Sequence, residues 1–391
     1  MKQGRSPAPT VRVRMGEREL VARDGFMQRA RELAEHGRYT TAPNPLVGAV
    51  VVRDGAVVGE GWHARAGEEH AEVRALESSG PAAQGAVLYT TLEPCNHYGK
   101  TPPCTEAILR AGVARVVTGH LDPNPKMRGR SLDLLREAGV EVEVLEDALF
   151  EKQNEQFAHL MRTGRPFVHI KLATTLDGRI AAPDGESKWV TGEDARRRAH
   201  LLRAEAGAVL VGVGTARLDD PLLTPRDLPE EPPTVTRVVL DPHLTLEADS
   251  KLARTAYTDP VVVFAVEEVG YSRANELREH GVEVMPTPFT GRGLDLIFVL
   301  EELGRRGIRG VLVEGGGETA GRFIDQGLAG KLTLFYAPKL LGAEGVPLMG
   351  SFKVAGMDQA PRFRVETVER VGEDIAMTLY PLKEDLVHRA D

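Results

Sequence analysis

An α/β fold in two domains is what the sequence predicts, and three observations carry the prediction. Helical patterns alternate with short apolar runs, as they do when helices are layered on a sheet. The alternation breaks at Arg165-Pro166 and then starts again. At 391 residues the chain is too long for one ordinary hydrophobic core. The expected division is a flexible tail over residues 1–23, a first domain over 24–164 and a second over 165–388.

The elements follow in order. From Asp24, "DGFMQRARELAEHGR" carries Phe26, Ala30, Leu33 and Ala34 on one helical face. "LVGAVVVRDGAVVGEGWH" places two apolar runs around Asp54-Gly55, a β-hairpin signal. Helices are expected at "AEVRALESS", "TEAILRAG" and "SLDLLREAG", alternating with strands "AVLYT", "ARVVTG" and "VEVEVL". One long helix, "ALFEKQNEQFAHLMRTG", then leads to the domain boundary. Beyond it the strands read "FVHIKLA", "AVLVGVG", "TRVVLD", "PVVVFAV", "VEVMP", "GVLVEGG" and "KLTLFYAP". Helices fall at "EDARRRAHLLRAEA", "RANELREHG", "LDLIFVLEELGRRG" and "ETAGRFIDQGL". The acidic, Pro-rich "DLPEEPPTVT" reads as a surface loop.

Composition narrows the class. Hydrophobic residues at 42% and charged residues at 27% are those of a globular protein. No apolar run reaches the length of a membrane span, and the basic N-terminal stretch has no apolar signal core. A formal net charge of −8 disfavours a protein that holds nucleic acid. Two cysteines in so long a chain point to a reducing compartment, and a cytoplasmic enzyme is expected.

Both cysteines lie in "LEPCNHYGKTPPC", as Cys95 and Cys104. Upstream, His70 and Glu72 form H-A-E at a helix start. Zinc-dependent base deaminases use a histidine and two thiolates as ligands, with a nearby glutamate to move protons. The general signature has two residues between the cysteines, whereas eight separate them here. The upstream H-A-E and the strand–loop–helix setting restore the signal. The competing reading closes the site with His63 or His97 as a fourth ligand, which leaves Glu72 without a role.

The second half has its own signals. In "IRGVLVEGGGETAGRFI" a strand runs into Gly315, Gly316 and Gly317 and a helix follows, a setting that suits a pyrophosphate. Thr191 and Asp194 read as a capping box opening a helix. On that helix Arg203 flanks Ala199 and Leu202, placing its guanidinium toward a cleft for phosphate.

"APNPLVGAVVV", "GWHARAGEEHAE", "TLEPCNHYGKTPPC" and "GHLDPNPKMRGR" together resemble the deaminase half of the RibD family of bifunctional riboflavin biosynthesis proteins. In that family the long spacing between cysteines is the rule. "KLATTLDGRIA" and "GESKWVTGEDARRRAHLLRAEAGAVLVGVGTARLDDPLLTPR" resemble its reductase half.

The resemblance implies a cytidine-deaminase-like three-layer α/β/α domain followed by a dihydrofolate-reductase-like α/β domain. It implies one Zn2+ on His70, Cys95 and Cys104, with Glu72 catalytic. Asn44, His63, His97 and Lys100 would hold a diaminopyrimidinone carrying ribose 5-phosphate. Asn44 sits between Pro43 and Pro45, and Lys100 is a point charge for phosphate.

In the second domain Lys171, Ser187, Arg203, Leu223, Arg226 and Glu314 would line the ribosyl phosphate. Ala173, Trp189, Thr215, Asp219 and the run Gly316, Gly317, Glu318, Thr319, Ala320, Gly321 and Arg322 would hold NADPH. Lys171, Asp219 and Glu314 are the candidates for proton transfer during reduction. Dimerisation through the reductase domain is a further implication. Two other readings stay open: a zinc nucleoside deaminase with an accessory nucleotide-binding domain, and a non-catalytic zinc and nucleotide-binding protein.

Overall fold

The Asp54-Gly55 turn takes φ values of 52° and 77°, the left-handed pair that matches the twist of a hairpin. It joins β1 (Gly48–Arg53) to β2 (Ala56–Trp62). In the computed structural model, which describes residues 17–99, 101–228, 232–350 and 354–382, the chain forms two compact units. The first comprises residues up to Gly37, Leu46–Asp122 and Lys126–Gln153. The second comprises Arg38–Pro45, Pro123–Pro125 and the chain from Asn154 onward.

The other elements of the first unit are α1 (Glu17–Glu35), α2 (Ala71–Ser79), β3 (Val87–Leu92), α3 (Cys104–Ala111), β4 (Arg115–His120), α4 (Arg130–Glu137), β5 (Glu141–Val144) and α5 (Ala148–Gln153). The sheet order is β2-β1-β3-β4-β5, antiparallel around β1 and parallel from β3 to β5. Successive residues of a strand face opposite ways, so β1 feeds two cores. Ala49 and Val51 pack with Ala75, Ile108 and Leu132 of α2, α3 and α4. Val50 and Val52 pack with Met27, Ala30 and Leu33 of α1. Helices on both faces make the three layers that the resemblance implies.

The second unit contains α6 (Glu155–Thr163), β6 (Phe167–Thr175), β7 (Arg179–Ala181), α7 (Glu193–Ala206), β8 (Gly207–Gly212), α8 (Val213–Asp219), β9 (Thr236–Leu240), α9 (Lys251–Arg254), β10 (Val261–Ala265) and α10 (Tyr271–Glu279). It continues with β11 (Glu283–Pro286), β12 (Phe289–Thr290), β13 (Gly293–Leu294), α11 (Leu296–Arg305), β14 (Gly310–Val313), α12 (Gly317–Asp325), β15 (Lys331–Ala337), β16 (Val346–Pro347), β17 (Phe363–Val371) and β18 (Asp374–Pro381). Among the described residues the main sheet has nine strands, in the order β11-β10-β9-β8-β14-β6-β15-β18-β17.

The sheet is parallel from β11 to β15, and β18 and β17 add an antiparallel edge. Parallel strands are covered on both faces; β10 and β14 are accordingly buried at every residue. Leu296, Val299, Leu300 and Leu303 of α11 cover one face, and Leu252, Ala274 and Leu277 lie on the other. Asp295 caps α11 by accepting from the Ile297 and Phe298 N–H groups at 2.9 and 3.2 Å.

Some local expectations change. The long helix before the boundary is two, α5 and α6, separated at Asn154, where the units also part. Helix α1 begins at Glu17, ahead of Asp24, while residues 1–16 of the expected tail lie outside the described residues. The capping box does not form. Gly192 is the N-cap of α7 with no side-chain cap, and its N–H donates to Asp374 Oδ2 at 2.8 Å. The Thr191 carbonyl instead accepts from Arg196 at 2.9 Å. Among the described residues no helix is long and apolar enough to cross a membrane.

Candidate active sites

In the first unit, strand ends and helix starts bring distant residues together. Strand β3 delivers Cys95 just beyond its end, and α3 opens on Cys104 after Pro103. The Cys104 N–H donates to Cys95 Sγ at 3.3 Å and the Thr105 N–H to the Cys95 carbonyl at 3.2 Å. Helix α2 has His70 as its N-cap and Glu72 in its first turn. His70 Nδ1 lies 3.2 Å from Cys104 Sγ and 3.4 Å from Cys95 Sγ. The buried Glu72 carboxyl is 3.6 Å from Cys104 Sγ.

The three ligand atoms of His70, Cys95 and Cys104 lie within 4.8 Å of one another. A tetrahedral zinc ion with bonds of about 2.0–2.3 Å needs donors about 3.5 Å apart, so the residues fit the ion. Among the described residues neither His63 nor His97 joins the group. His63 is buried, its Nδ1 donates to the Glu69 carbonyl at 3.1 Å, and its ring centroid is 5.3 Å from that of His70. His97 is exposed, and Lys100 lies outside the described residues. Asn44 belongs to the second compact unit, where its carbonyl accepts from Arg309 at 2.7 Å.

Protons are unevenly shared around this group. Hydrogen bonding from Cys104 and His70 outweighs burial and lowers the Cys95 thiol well below its usual value. Cys104 moves up, because it donates to Cys95 and is buried. Burial likewise raises the Glu72 carboxyl despite nearby His70. A carboxyl shifted upward in this way is suited to carrying a proton.

Sequence reading gave no role to Glu93. This buried carboxylate accepts from the N–H groups of Asp122 (3.0 Å), Gly129 (2.8 Å) and Ser131 (3.3 Å), and from Ser131 Oγ (2.6 Å). It ties the 122–131 stretch to the cysteine loop, and its only sequence signal was an acidic residue directly before Pro94-Cys95.

In the second unit, Lys171 from β6, Arg203 from α7 and Glu314 after β14 converge. Arg203 grips the Glu314 carboxylate through Nε at 2.6 Å and Nη2 at 2.9 Å, and Nη1 donates to the Thr224 carbonyl at 3.1 Å. The guanidinium expected to face a phosphate is therefore engaged by Glu314. Lys171 Nζ is 3.9 Å from Glu314 Oε2. Burial pushes Glu314 up, but Arg203 and Lys171 outweigh it and hold the carboxyl at about 2. Burial lowers Lys171, with Arg203 acting in the same direction and Glu314 opposing.

The expected cofactor residues lie nearby in the fold. Ala173 continues β6, and Thr215 Oγ1 accepts from the Gly316 N–H at 2.9 Å. Asp219 ends α8 and accepts from Ser187 Oγ at 2.9 Å. Leu223 is buried, Arg226 is exposed, and Arg237 fixes the preceding Leu222 carbonyl at 3.2 Å. Trp189 is exposed, with the Arg196 guanidinium 4.6 Å from its ring centroid.

The glycines differ in what surrounds them. A Cβ on Gly315 would come within 2.8 Å of Val211 Cα, and one on Gly317 within 2.4 Å of the Leu348 carbonyl. On Gly316 it would meet only Thr215 Oγ1, at 3.5 Å. Of the three glycines Gly316 alone has room for a Cβ, in ordinary contact with Thr215 Oγ1, at the start of α12 where a dinucleotide would approach closely. Thr319, Ala320 and Gly321 are buried within α12 and Glu318 is exposed, while Arg322 turns to the Leu294 carbonyl at 2.6 Å.

Residues 166–377 match the profile of the RibD C-terminal domain, and residues 22–120 that of the cytidine and deoxycytidylate deaminase zinc-binding region. The chain belongs to the RibD family. It is 42% identical to the riboflavin biosynthesis protein RibD of Aquifex aeolicus, over 90% of this chain and 96% of that one. It is 40% identical to RibD of Escherichia coli, over 90% and 98%. Acinetobacter baumannii RibD superposes with a TM-score of 0.86 at 38% identity, covering 93% of this chain and 100% of that one. A Thermotoga maritima diaminohydroxyphosphoribosylaminopyrimidine deaminase/5-amino-6-(5-phosphoribosylamino)uracil reductase superposes at 0.82 and 36% identity, covering 93% and 99%.

A RibD chain is a bifunctional enzyme of riboflavin biosynthesis, a deaminase joined to a reductase. Its cofactors are zinc in the deaminase and NADPH in the reductase. The metal-fitting group thus falls in the deaminase domain, and the Lys171–Arg203–Glu314 cluster in the RibD reductase domain.

Proposed function

We propose that this enzyme deaminates a diaminopyrimidinone carrying ribosylamine 5′-phosphate and then reduces the ribosyl group of the product to ribityl. The carrying observation is the group of His70, Cys95 and Cys104 with the Glu72 carboxyl beside it. The functional halves divide near residue 165, consistent with the start of the reductase family match at 166.

His70, Cys95 and Cys104 would hold the zinc ion. Bound zinc supplies a Lewis acid and makes hydroxide available near neutral pH. Glu72 takes a proton from the attacking water at its carboxylate and delivers it to the departing amine nitrogen. His63, buried and fixed by the Glu69 carbonyl, is assigned to the same substrate, as are His97 and Lys100.

In the reductase, NADPH supplies the hydride. Thr215, Asp219, Trp189, Ala173 and the Gly316–Arg322 run hold the cofactor. Ser187, Arg203, Leu223, Arg226 and Glu314 line the ribosyl end of the substrate. Lys171 is the group best suited to deliver a proton to the opening sugar, because burial moves it below the usual lysine value. Glu314, held at about 2, stays ionised and orients Arg203 and Lys171.

The work is placed in the cytoplasm and in a homodimer joined through the reductase domain. Selective variants test the assignment. Glu72→Gln should abolish deamination yet still reduce deaminated substrate, and Lys171→Met should do the reverse. Loss of both activities in either variant, with the fold intact, contradicts two separate sites.

A further inference from the structure

We propose that His200 is a further substrate-binding residue of the reductase, taking the phosphate-bearing end of the substrate together with Arg226. The proposal rests on the reductase reading above and adds a residue to its site.

The helix register places His200 there. Ala195, Leu202 and Ala206 of α7 pack into the core against Leu312, Phe335 and Ala376. Arg196, His200 and Arg203 are spaced four and then three residues apart, so they share the side beside that apolar stripe. On this side Arg203 is fixed by Glu314 and by the Thr224 carbonyl. His200 sits one turn earlier, and the charged groups acting on it are Arg203, Arg226, Glu314 and Asp227.

His200 is only 9% exposed, and its buried Nδ1 has no hydrogen-bond partner within the chain. Buried polar atoms left unpaired are few in folded proteins, and each calls for a partner from water or a ligand. Here the surroundings select an anion. Burial lowers the imidazole to about 4, and the two arginines act in the same direction against the two carboxylates. His200 is therefore a neutral hydrogen-bonding group near neutral pH, flanked by two arginines and two carboxylates. Glu314 already occupies the Arg203 fork, which leaves exposed Arg226 as the second cation for a phosphate.

The test compares the deaminated ribosyl phosphate with its dephosphorylated riboside as reductase substrates. His200→Leu should lower kcat/KM for the phosphorylated substrate about tenfold or more, through KM. The riboside and NADPH should change less than about twofold, and His200→Gln should recover part of the loss. An equal loss on both substrates, or none on either, overturns the proposal. Ribose 5-phosphate binding measured by calorimetry provides a readout without turnover. Affinity should fall about tenfold in His200→Leu and by less in His200→Gln, and unchanged affinity in folded His200→Leu rejects the assignment. If wild-type enzyme fails to reduce the substrate, the reductase reading fails, and the calorimetric result still decides His200.

Discussion

Replacing Glu314 with glutamine should destabilise the reductase unit by about 3 kcal/mol at neutral pH. The figure follows from holding its carboxyl at about 2 against a reference of 4.5, at about 1.4 kcal/mol per tenfold. The folded-state value is the lower one, so the stabilisation is complete above pH 4.5 and is lost as pH falls toward 2. For a unit of this size the loss corresponds to about 6–12 °C in Tm.

Arg203→Met should cost a comparable amount, because it leaves the Glu314 carboxylate buried with Lys171 at 3.9 Å as its remaining ion-pair partner. The double variant should cost about 1–3 kcal/mol less than the two single changes combined. Calorimetric melting at pH 7 and pH 3 checks all three variants. A Glu314→Gln Tm within about 1 °C of wild type at pH 7 would show that the Glu314 ion pairs do not stabilise the unit. So would a difference that fails to shrink at pH 3.

Other expectations follow from the same geometry. Chelation of zinc should abolish deamination while NADPH-dependent reduction of deaminated substrate continues, as parallel assays on one sample would record. Gly316→Ala should fold normally and raise the KM for NADPH about tenfold, because its methyl group meets nothing closer within the chain than Thr215 Oγ1 at 3.5 Å and stands where the dinucleotide approaches α12. Gly317→Ala should instead lower Tm, since its Cβ would sit 2.4 Å from the Leu348 carbonyl. The reductase pH profile should fall on its alkaline side below the usual lysine value as Lys171 deprotonates; Lys171→Arg should move that limb upward.

The deaminase site was largely legible because its chemistry is encoded in short segments. His70 and Glu72 share one helix start and Cys95 and Cys104 lie nine residues apart, so H-A-E together with the two cysteines suggested a metal where the cysteine spacing by itself would not have. The reductase site was less so. Arg203 and Glu314 are 111 residues apart and meet only because β8, β14 and β6 are neighbours in the sheet. Sequence spacing aimed Arg203 at a phosphate and could not reveal the carboxylate that takes it. His200 was passed over for the same reason, since its neighbours come from separate segments.

Apolar runs located buried parallel strands such as β8, β10 and β14, which are continuous as burial on both faces requires. The β17–β18 edge hairpin gave no such signal: Val365 and Val368 are exposed among charged residues. The break at Asn154 was equally hidden, because "ALFEKQNEQFAHLMRTG" keeps helical spacing through it.

Two consecutive reactions on one chain are separated by mass spectrometry of the diaminopyrimidinone ribosyl phosphate incubated with zinc-loaded enzyme. Without NADPH the substrate should exchange one amine for a carbonyl and change no further. With NADPH that product should gain two hydrogens. Absence of the amine-to-carbonyl change, or a gain of hydrogens that does not depend on NADPH, would rule out a deaminase and an NADPH-dependent reductase acting in sequence on this chain.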